Sequence, residues 1–279
     1  MSEFVYSRSY RGGVKALVLD WSGTTADAYV VAPAVVFVEV FKKQGVEISM
    51  PEARGPMGLR KDLHIKALTE DPVIRERWKS VHGSYPDQGD VDRMFADFVP
   101  LQLDCLRQYT GLLPGVAEVT QRLQARGIKI GSSTGFTRPM VDILEEEAAK
   151  QGYRPDASVA GDEVIHGARP GPFMVYKNLD ILGIHPIQSV VKVDDTISGV
   201  GEALNAGCWG VGVVRYSNYM DVDTPEQGAS LSEDEIARRM AKTRDILAKT
   251  GAHYVIDSLA DIEPVIEDIN ARLARGEKP

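Results

Sequence analysis

Near its start the chain reads Val14-Lys15-Ala16-Leu17-Val18-Leu19-Asp20-Trp21-Ser22-Gly23-Thr24-Thr25-Ala26-Asp27. An apolar run that contains β-branched residues ends abruptly in Asp20, and a turn of glycine and threonine follows it. This pattern predicts a buried parallel strand that delivers a carboxylate to its C-terminal tip. Ligands of open α/β sheets bind at such tips, so we expect Asp20 to lie in a functional site, although a lone aspartate after a strand is usually just solvated.

The composition is typical of a globular protein, with 43% hydrophobic and 26% charged residues among 279. A formal net charge of −8 argues against non-specific binding to nucleic acid. No run approaches the roughly 18 apolar residues of a membrane span, and residues 1–11 lack an apolar signal core. We therefore expect a cytoplasmic protein with no membrane partner. Cys105 and Cys208 are predicted to be free thiols.

The periodicity of the chain changes near Leu113. Residues 29–109 show helical patterns and no convincing strand, which predicts an all-helical insertion. After this point short apolar strands alternate with helices, a pattern typical of a doubly wound parallel sheet. The predicted fold is therefore α/β, with a core domain of residues 1–28 and 110–279 and an inserted α-helical cap domain of residues 29–109. The polar stretch 217–230 is predicted to be a loop.

Other polar residues follow the predicted strands or precede a helix. Ser133 and Thr134 come after an apolar strand and offer hydroxyl and backbone N–H donors for phosphate oxygens, although a plain turn would look the same. Arg169 precedes a helix and is either a fixed cation for a phosphate group or a surface side chain. Because carboxyl ends of parallel strands share one edge of a sheet, we expect these side chains to lie near Asp20.

A pair of aspartates, Asp194 and Asp195, ends another apolar strand. Adjacent carboxylates repel each other, and a cation relieves that repulsion. Mg²⁺ prefers hard oxygen ligands such as these. Together with Asp20, the pair predicts a magnesium site at the strand tips. No His or Cys cluster has the spacing of a zinc site.

These four segments resemble, in order and placement, the four motifs of the haloacid dehalogenase superfamily of phosphoryl-transfer enzymes. The resemblance implies a Rossmann-like core in which Asp20 is the nucleophile, Thr134 the hydroxyl of the second motif and Arg169 the cation of the third. One position departs from the pattern. Phosphatases of the superfamily carry a general-acid aspartate two residues after the nucleophile, and here that residue is Ser22.

The predicted cap contains Lys61 after a Gly/Pro-rich turn. A desolvated lysine near other cations loses its proton easily and forms an imine with a carbonyl, although most lysines are simply solvated. Four segments are similar to those of the phosphonoacetaldehyde hydrolase family: Asp20-Trp21-Ser22-Gly23-Thr24-Thr25, Pro56-Met57-Gly58-Leu59-Arg60-Lys61 with His64 beyond it, Gly131-Ser132-Ser133-Thr134-Gly135-Phe136-Thr137-Arg138, and Lys192-Val193-Asp194-Asp195-Thr196.

The resemblance implies hydrolysis of the carbon–phosphorus bond of phosphonoacetaldehyde to acetaldehyde and phosphate. Lys61 would form an imine that accepts electrons in place of the missing acid, and Asp20 would form an aspartyl-phosphate. Mg²⁺ would be held by Asp20, the Ser22 backbone carbonyl and Asp195, with support from Asp194.

The resemblance also implies roles for residues around this centre. Ser133, Thr134 and Arg169 would bind the phosphonate oxygens, His64 would shuttle protons during imine formation, and Met57 would pack against the reacting lysine. The cap would close about hinges near 28–31 and 109–113, and related enzymes suggest a homodimer formed through the cap.

Two further residues depart from the family pattern. Phe136 stands where a tyrosine is expected, and Gly199 stands where some members carry a second metal-motif aspartate, a charge that Asp194 could supply. Ser22 argues against an ordinary phosphomonoesterase or phosphomutase of the superfamily. A non-catalytic phosphate-binding module is a further alternative, but it would be expected to lack the nucleophile or the metal carboxylates, which are present here.

Overall fold

A computed structural model of the chain describes residues 9–279 and shows a six-stranded sheet at the centre of the core. Across the sheet the strands lie in the order β3-β2-β1-β4-β5-β6, and every neighbouring pair is parallel. The prediction of a doubly wound parallel sheet is confirmed. The strands are β1 (Ala16–Leu19), β2 (Lys129–Ser133), β3 (Ala157–Val159), β4 (Val190–Asp194), β5 (Trp209–Val213) and β6 (Tyr254–Ile256).

Five of the six α-helices that lie between β1 and β2 form the insertion, and within residues 9–279 no strand interrupts them. The Phe37 and Phe98 rings, both fully buried, lie 4.6 Å apart between centroids and join the first of these helices to the fifth. This apolar packing is part of one hydrophobic cluster that continues from the insertion into the core around β1. The helices are α1 (Val31–Lys43), α2 (Met50–Arg54), α3 (Lys61–Glu70), α4 (Pro72–His82) and α5 (Gln88–Leu106).

The remaining helices belong to the core and cover the sheet on both faces, as parallel strands buried on both sides require. All four side chains of β1 are buried, which explains why its sequence is continuously apolar rather than alternating. The core helices are α6 (Val116–Ala125), α7 (Arg138–Lys150), α8 (Phe173–Leu182), α9 (Ile197–Ala206), α10 (Pro225–Ser230), α11 (Glu233–Ala248) and α12 (Ile262–Ala274).

The prediction of a loop over 217–230 is wrong for its second half, where α10 forms. The Thr224 hydroxyl accepts a hydrogen bond from the Gln227 backbone N–H at 3.1 Å, and Pro225 occupies the first helical turn. Threonine at the N-cap followed by proline is a helix-start signal, but the Gly/Pro content of the stretch obscured it.

None of the helices in the described part of the chain combines the length and the apolar character that a membrane crossing requires.

Candidate active site

Three buried carboxylates meet at the C-terminal edge of the sheet. Asp20 follows β1, Asp194 is the last residue of β4, and Asp195 comes next. Because Leu19 pairs with Val193 in parallel register, the residues after them emerge at the same edge. Each carboxylate offers one oxygen within 4.8 Å of the other two. The structure thus brings together residues that are about 170 positions apart in the sequence.

Arg169 binds Asp20 across this edge. The Nη2 group of the buried guanidinium donates to Asp20 Oδ1 at 2.6 Å and to Ser133 Oγ at 3.1 Å, while Nη1 lies 3.2 Å from Asp194 Oδ2. Burial raises the pKa of Asp20, and the guanidinium opposes that rise. Burial alone would lower the pKa of Arg169, but Asp194, Asp20 and Glu202 together raise it. Arg169 therefore remains a fixed cation beside the predicted nucleophile.

Sequence reasoning missed two charged residues behind Arg169. Lys192 in β4 and Glu202 in α9 are both fully buried. Lys192 Nζ donates to Asp194 Oδ2 at 2.6 Å, and Glu202 Oε2 accepts from Arg169 Nε at 3.1 Å and from Ser133 Oγ at 2.9 Å. A lysine between two valines in an apolar strand was the available signal, because a buried charge requires a partner.

Asp195 has the least satisfied carboxylate of the site. Its Oδ2 accepts from the Asn218 backbone N–H at 2.8 Å, and the Ser217 hydroxyl donates to its backbone carbonyl at 2.8 Å, but Oδ1 has no partner within residues 9–279. Burial raises the pKa of Asp195 well above its usual range, and Asp194 and Asp20 raise it further.

The donor set fits a divalent cation. Asp20, Asp194, Asp195 and Glu202 are four buried carboxylates. The buried cations Arg169 and Lys192 pair with Asp20, Asp194 and Glu202, and neither of them pairs with Asp195 in the described part of the chain. A hard cation would satisfy the orphan oxygen of Asp195 and would offset the repulsion that raises its pKa.

Gly199 in α9 accounts for one departure from the family pattern. A Cβ atom at this position would lie 1.8 Å from the Asp194 Cγ atom, so the Asp194 carboxylate occupies the space that a side chain at 199 would need. The Thr196 backbone N–H and hydroxyl hold Asp194 Oδ1 at 3.0 and 2.7 Å. Asp194 therefore supplies the negative charge that an aspartate at position 199 would bring. Both carboxylate oxygens of Asp194 already have protein partners, which suits the predicted role of supporting the metal ligands.

A small cavity lies between the cap and the strand tips. Gly58 in the cap loop has a φ of +92°, and a Cβ there would come within 2.2 Å of Ser198 Oγ, so this close approach of cap to core requires glycine. The cavity is lined by residues of both parts of the chain: Asp20, Ser22, Thr134, Gly135, Phe136, Arg169 and Thr196 from the core, and Val30, Pro33, Met57, Gly58 and Lys61 from the insertion.

Lys61 begins α3 and is only 4% exposed. Burial lowers its pKa to about 8, and Arg169 acts in the same direction, whereas Asp20 opposes the change. Its Nζ lies 4.4 Å from the centroid of the Phe136 ring and 5.8 Å from that of Phe37. The amine is therefore partly unprotonated near neutral pH and is able to attack a carbonyl carbon.

The remaining predicted site residues divide into two groups. Ser22, Met57 and Thr134 line the cavity, and the Ser22 hydroxyl is buried without a hydrogen-bond partner in the described part of the chain. Ser133 does not line it, because its hydroxyl points to Glu202 behind the site.

His64 also lies behind the cavity wall. Its ring is fully buried, stacks on Phe37 with 3.7 Å between centroids, and places Nε2 2.8 Å from the Ala53 carbonyl oxygen. Burial lowers the pKa of His64 well below its usual value, and Lys61 lowers it further. The ring is therefore neutral with Nε2–H as donor, which leaves Nδ1 as an acceptor that has no partner among residues 9–279.

Comparison with known proteins shows that the chain is similar to hydrolases of one family. Residues 14–207 match the family model of haloacid dehalogenase-like hydrolases. The chain is 45% identical to a phosphonoacetaldehyde hydrolase of Nitratidesulfovibrio vulgaris, covering 100% of this chain and 99% of that protein. It is 43% identical to one of Klebsiella pneumoniae, covering 95% and 99%. A crystal structure of a phosphonoacetaldehyde hydrolase-like protein of Oleispira antarctica superposes with a TM-score of 0.95 at 40% identity, covering 99% and 100%.

Proposed function

Because the chain belongs to the haloacid dehalogenase-like hydrolases, and among them to the phosphonoacetaldehyde hydrolase family, we propose that it hydrolyses the carbon–phosphorus bond of phosphonoacetaldehyde. The products are acetaldehyde and phosphate.

The observation that carries this proposal is that Asp20 and Lys61 line one cavity although they come from the core and the cap. Ser22 stands in the place of the phosphatase general acid, and a hydroxyl cannot replace a carboxylic acid in that role. A carbon leaving group has no oxygen to protonate and needs an electron acceptor instead. A lysine with a pKa of about 8 supplies one when it condenses with the aldehyde.

The reaction begins when the free amine of Lys61 adds to the aldehyde carbon. The carbinolamine oxygen takes up a proton from solvent and leaves as water, and the iminium ion remains. A carboxylate oxygen of Asp20 attacks phosphorus, the carbon–phosphorus bond breaks, and its electron pair moves toward nitrogen to form an enamine. Protonation at carbon and hydrolysis of the imine release acetaldehyde and restore the amine. Water then cleaves the aspartyl-phosphate and releases phosphate.

The groups around the cavity support these steps. Arg169 is a permanent cation within 2.6 Å of Asp20, so it is placed to bind phosphonate oxygens together with Thr134. The Ser133 hydroxyl contacts Arg169 and Glu202, so we propose that it also positions the guanidinium, and its binding to the substrate stays a prediction. His64 offers an unpartnered Nδ1 for proton transfer.

Asp20, the Ser22 backbone carbonyl and Asp195 are proposed to hold Mg²⁺, and Asp194 supports them. When bound, Mg²⁺ supplies positive charge to the phosphoryl oxygens and to the attacking carboxylate. Met57 is proposed to pack against Lys61 in the cavity wall and to keep water from the amine during the first half-reaction.

Trapping with borohydride tests the proposal. Borohydride added with phosphonoacetaldehyde should reduce the imine to a stable adduct on Lys61, and Lys61→Arg should abolish both the adduct and acetaldehyde release. Asp20→Asn should stop phosphate release but still allow trapping. Lys66→Arg, on the exposed face of the same helix, is the matched control. Full turnover by Lys61→Arg would contradict the imine mechanism.

A comparison of substrates separates this function from phosphomonoester hydrolysis. We expect phosphonoacetaldehyde to be consumed and an alkyl phosphate monoester to be a poor substrate, because Ser22 cannot protonate an alkoxide leaving group. The reverse preference would favour a phosphatase. The homodimer, the cytoplasmic location and the cap boundaries at residues 29 and 109 stay predictions.

A further inference from the structure

Arg54, the last residue of α2, contacts both the linker that enters the cap and a segment of the core. It is 3% exposed. Its Nη1 donates to the Tyr29 carbonyl at 2.5 Å and to Asn218 Oδ1 at 3.2 Å. Its Nη2 donates to the Val222 carbonyl, and its Nε lies 3.5 Å from Asp223 Oδ1. In return the Asn218 amide donates to the Arg54 carbonyl at 3.1 Å. A single cap guanidinium therefore binds both the linker that enters the cap and the core segment 218–223.

The same core segment holds Asp195. The Asn218 backbone N–H donates to Asp195 Oδ2 at 2.8 Å, so Asn218 contacts Arg54 through its side chain and Asp195 through its main chain. A shift of Asn218 would move the donor that orients this carboxylate. The contacts of Arg54 thus extend, through one residue, to the predicted metal site.

The linker that Arg54 binds adopts an unfavourable backbone conformation. Asp27, Tyr29 and Val30 have φ angles of 51°, 68° and 56°, and the left-handed region is particularly unfavourable for a β-branched residue such as Val30. Such conformations persist only where surrounding contacts hold them. Arg54 holds the Tyr29 carbonyl, and the Tyr29 N–H donates to the Tyr216 carbonyl at 2.8 Å.

We propose that Arg54 is a positioning residue that holds the cap closed over the cavity and, through Asn218, orients Asp195. Loss of the guanidinium hydrogen bonds would make both the strained linker and the core segment 218–223 more mobile. Among the described residues, the loop of residues 55–60 that follows Arg54 makes one hydrogen bond to the core, from Ser198 Oγ to the Met57 carbonyl. At 3.4 Å this bond is long and cannot replace the contacts of Arg54. The inference rests on the proposed function only in taking Lys61 and Asp195 as the groups that closure brings into use.

Hydrogen exchange measures the closure without turnover. Full-length wild type, Arg54→Met and Arg54→Lys are compared by mass spectrometry, with Arg75→Met as the control for loss of an exposed cap arginine. We expect amides of residues 27–32 to exchange about fivefold faster or more in both Arg54 variants, as expected for a coupling of ordinary size. The exchange rates of the β5 amides should be unchanged. Arg54→Lys should not restore slow exchange, because its single ammonium group cannot bridge the Tyr29 and Val222 carbonyls.

Titration with Mn²⁺, followed by its electron paramagnetic resonance signal, measures the coupling to Asp195. Both Arg54 variants should bind Mn²⁺ about fivefold more weakly or worse, and Arg75→Met should bind as wild type. Unchanged exchange in a folded Arg54 variant would overturn the closure role, and unchanged Mn²⁺ affinity would overturn the link to Asp195. If Arg54→Met fails to fold by circular dichroism, Arg54→Lys decides. Neither measurement requires a substrate, so failure of the proposed reaction would leave both results interpretable.

Discussion

The ionisation of Lys61 allows a quantitative test of the proposed mechanism. Only the free amine attacks an aldehyde, so the rate of imine formation follows the unprotonated fraction of Lys61. At pH 7.5 a pKa of about 8 leaves about one quarter of the side chain unprotonated, whereas the usual 10.5 leaves about one part in a thousand. Burial of Lys61 therefore increases the reactive fraction about 200-fold at this pH.

The assay is the initial rate at which borohydride traps phosphonoacetaldehyde on Lys61, measured between pH 6.5 and 10. Below its pKa the lysine is an ammonium ion, so the rate should rise with pH, reach half its maximum near pH 8 and then level off. In Asp20→Asn the midpoint should move below that of wild type, because the Asp20 carboxylate favours the ammonium form. Peptide mapping should show no adduct at the exposed Lys249 at neutral pH.

Two results would refute this reasoning. A rate that continues to rise toward pH 10.5 would mean that Lys61 titrates as a solvated lysine and that the cavity does not desolvate it. A midpoint that rises in Asp20→Asn would mean that the carboxylate does not act on the ammonium as its position indicates. Either result would leave Lys61 without the free amine that the mechanism needs near neutral pH.

Two further substitutions test the network behind the cavity. Gly199→Ala should lower the free energy of unfolding in urea by about 1–3 kcal/mol, because its Cβ would lie 1.8 Å from the Asp194 Cγ atom. The control variant Gly111→Ala places its Cβ in open space and should unfold as wild type does. Equal unfolding midpoints for the two variants would contradict the steric argument. Glu202→Gln should lower kcat/KM about 10- to 100-fold, because a buried hydrogen bond from Arg169 to a charged acceptor is worth about 1.5–3 kcal/mol; unchanged steady-state kinetics would show that Glu202 does not orient the guanidinium.

Much of the site was predictable because it depends on where strands end. Asp20, Thr134 and Asp194 each follow or close an apolar run, and parallel strands bring such positions to one edge of a sheet. The network behind that edge was less accessible. Glu202 lies in the middle of α9, where a glutamate ordinarily faces solvent, and its burial depends on Arg169 arriving from a loop more than thirty residues away.

The hydrogen-bond partners of Ser133 were likewise not predictable from local sequence. Its place after the apolar residues of β2 was correct, but alternation along a strand does not tell which partner a short hydroxyl side chain will choose. Glu202 and Arg169 lie behind the strand tips and engage the Ser133 hydroxyl there. The interaction is therefore decided by which helix packs behind the strand.

Local patterns in the chain were enough to predict the parallel sheet, the helical insertion and the place of Asp20 at a strand tip, because hydrophobic periodicity and abrupt polar strand ends are local properties of the chain. How the cap meets the core was visible only in the folded molecule. The burial that lowers the pKa of Lys61 arises where this residue, at the start of α3, meets Phe136 and the strand tips. The hydrogen bonds of Arg54 likewise join residues 29 and 222, which are far apart in the sequence. Desolvation and long-range hydrogen bonds depend on which surfaces come together, and no local pattern encodes that.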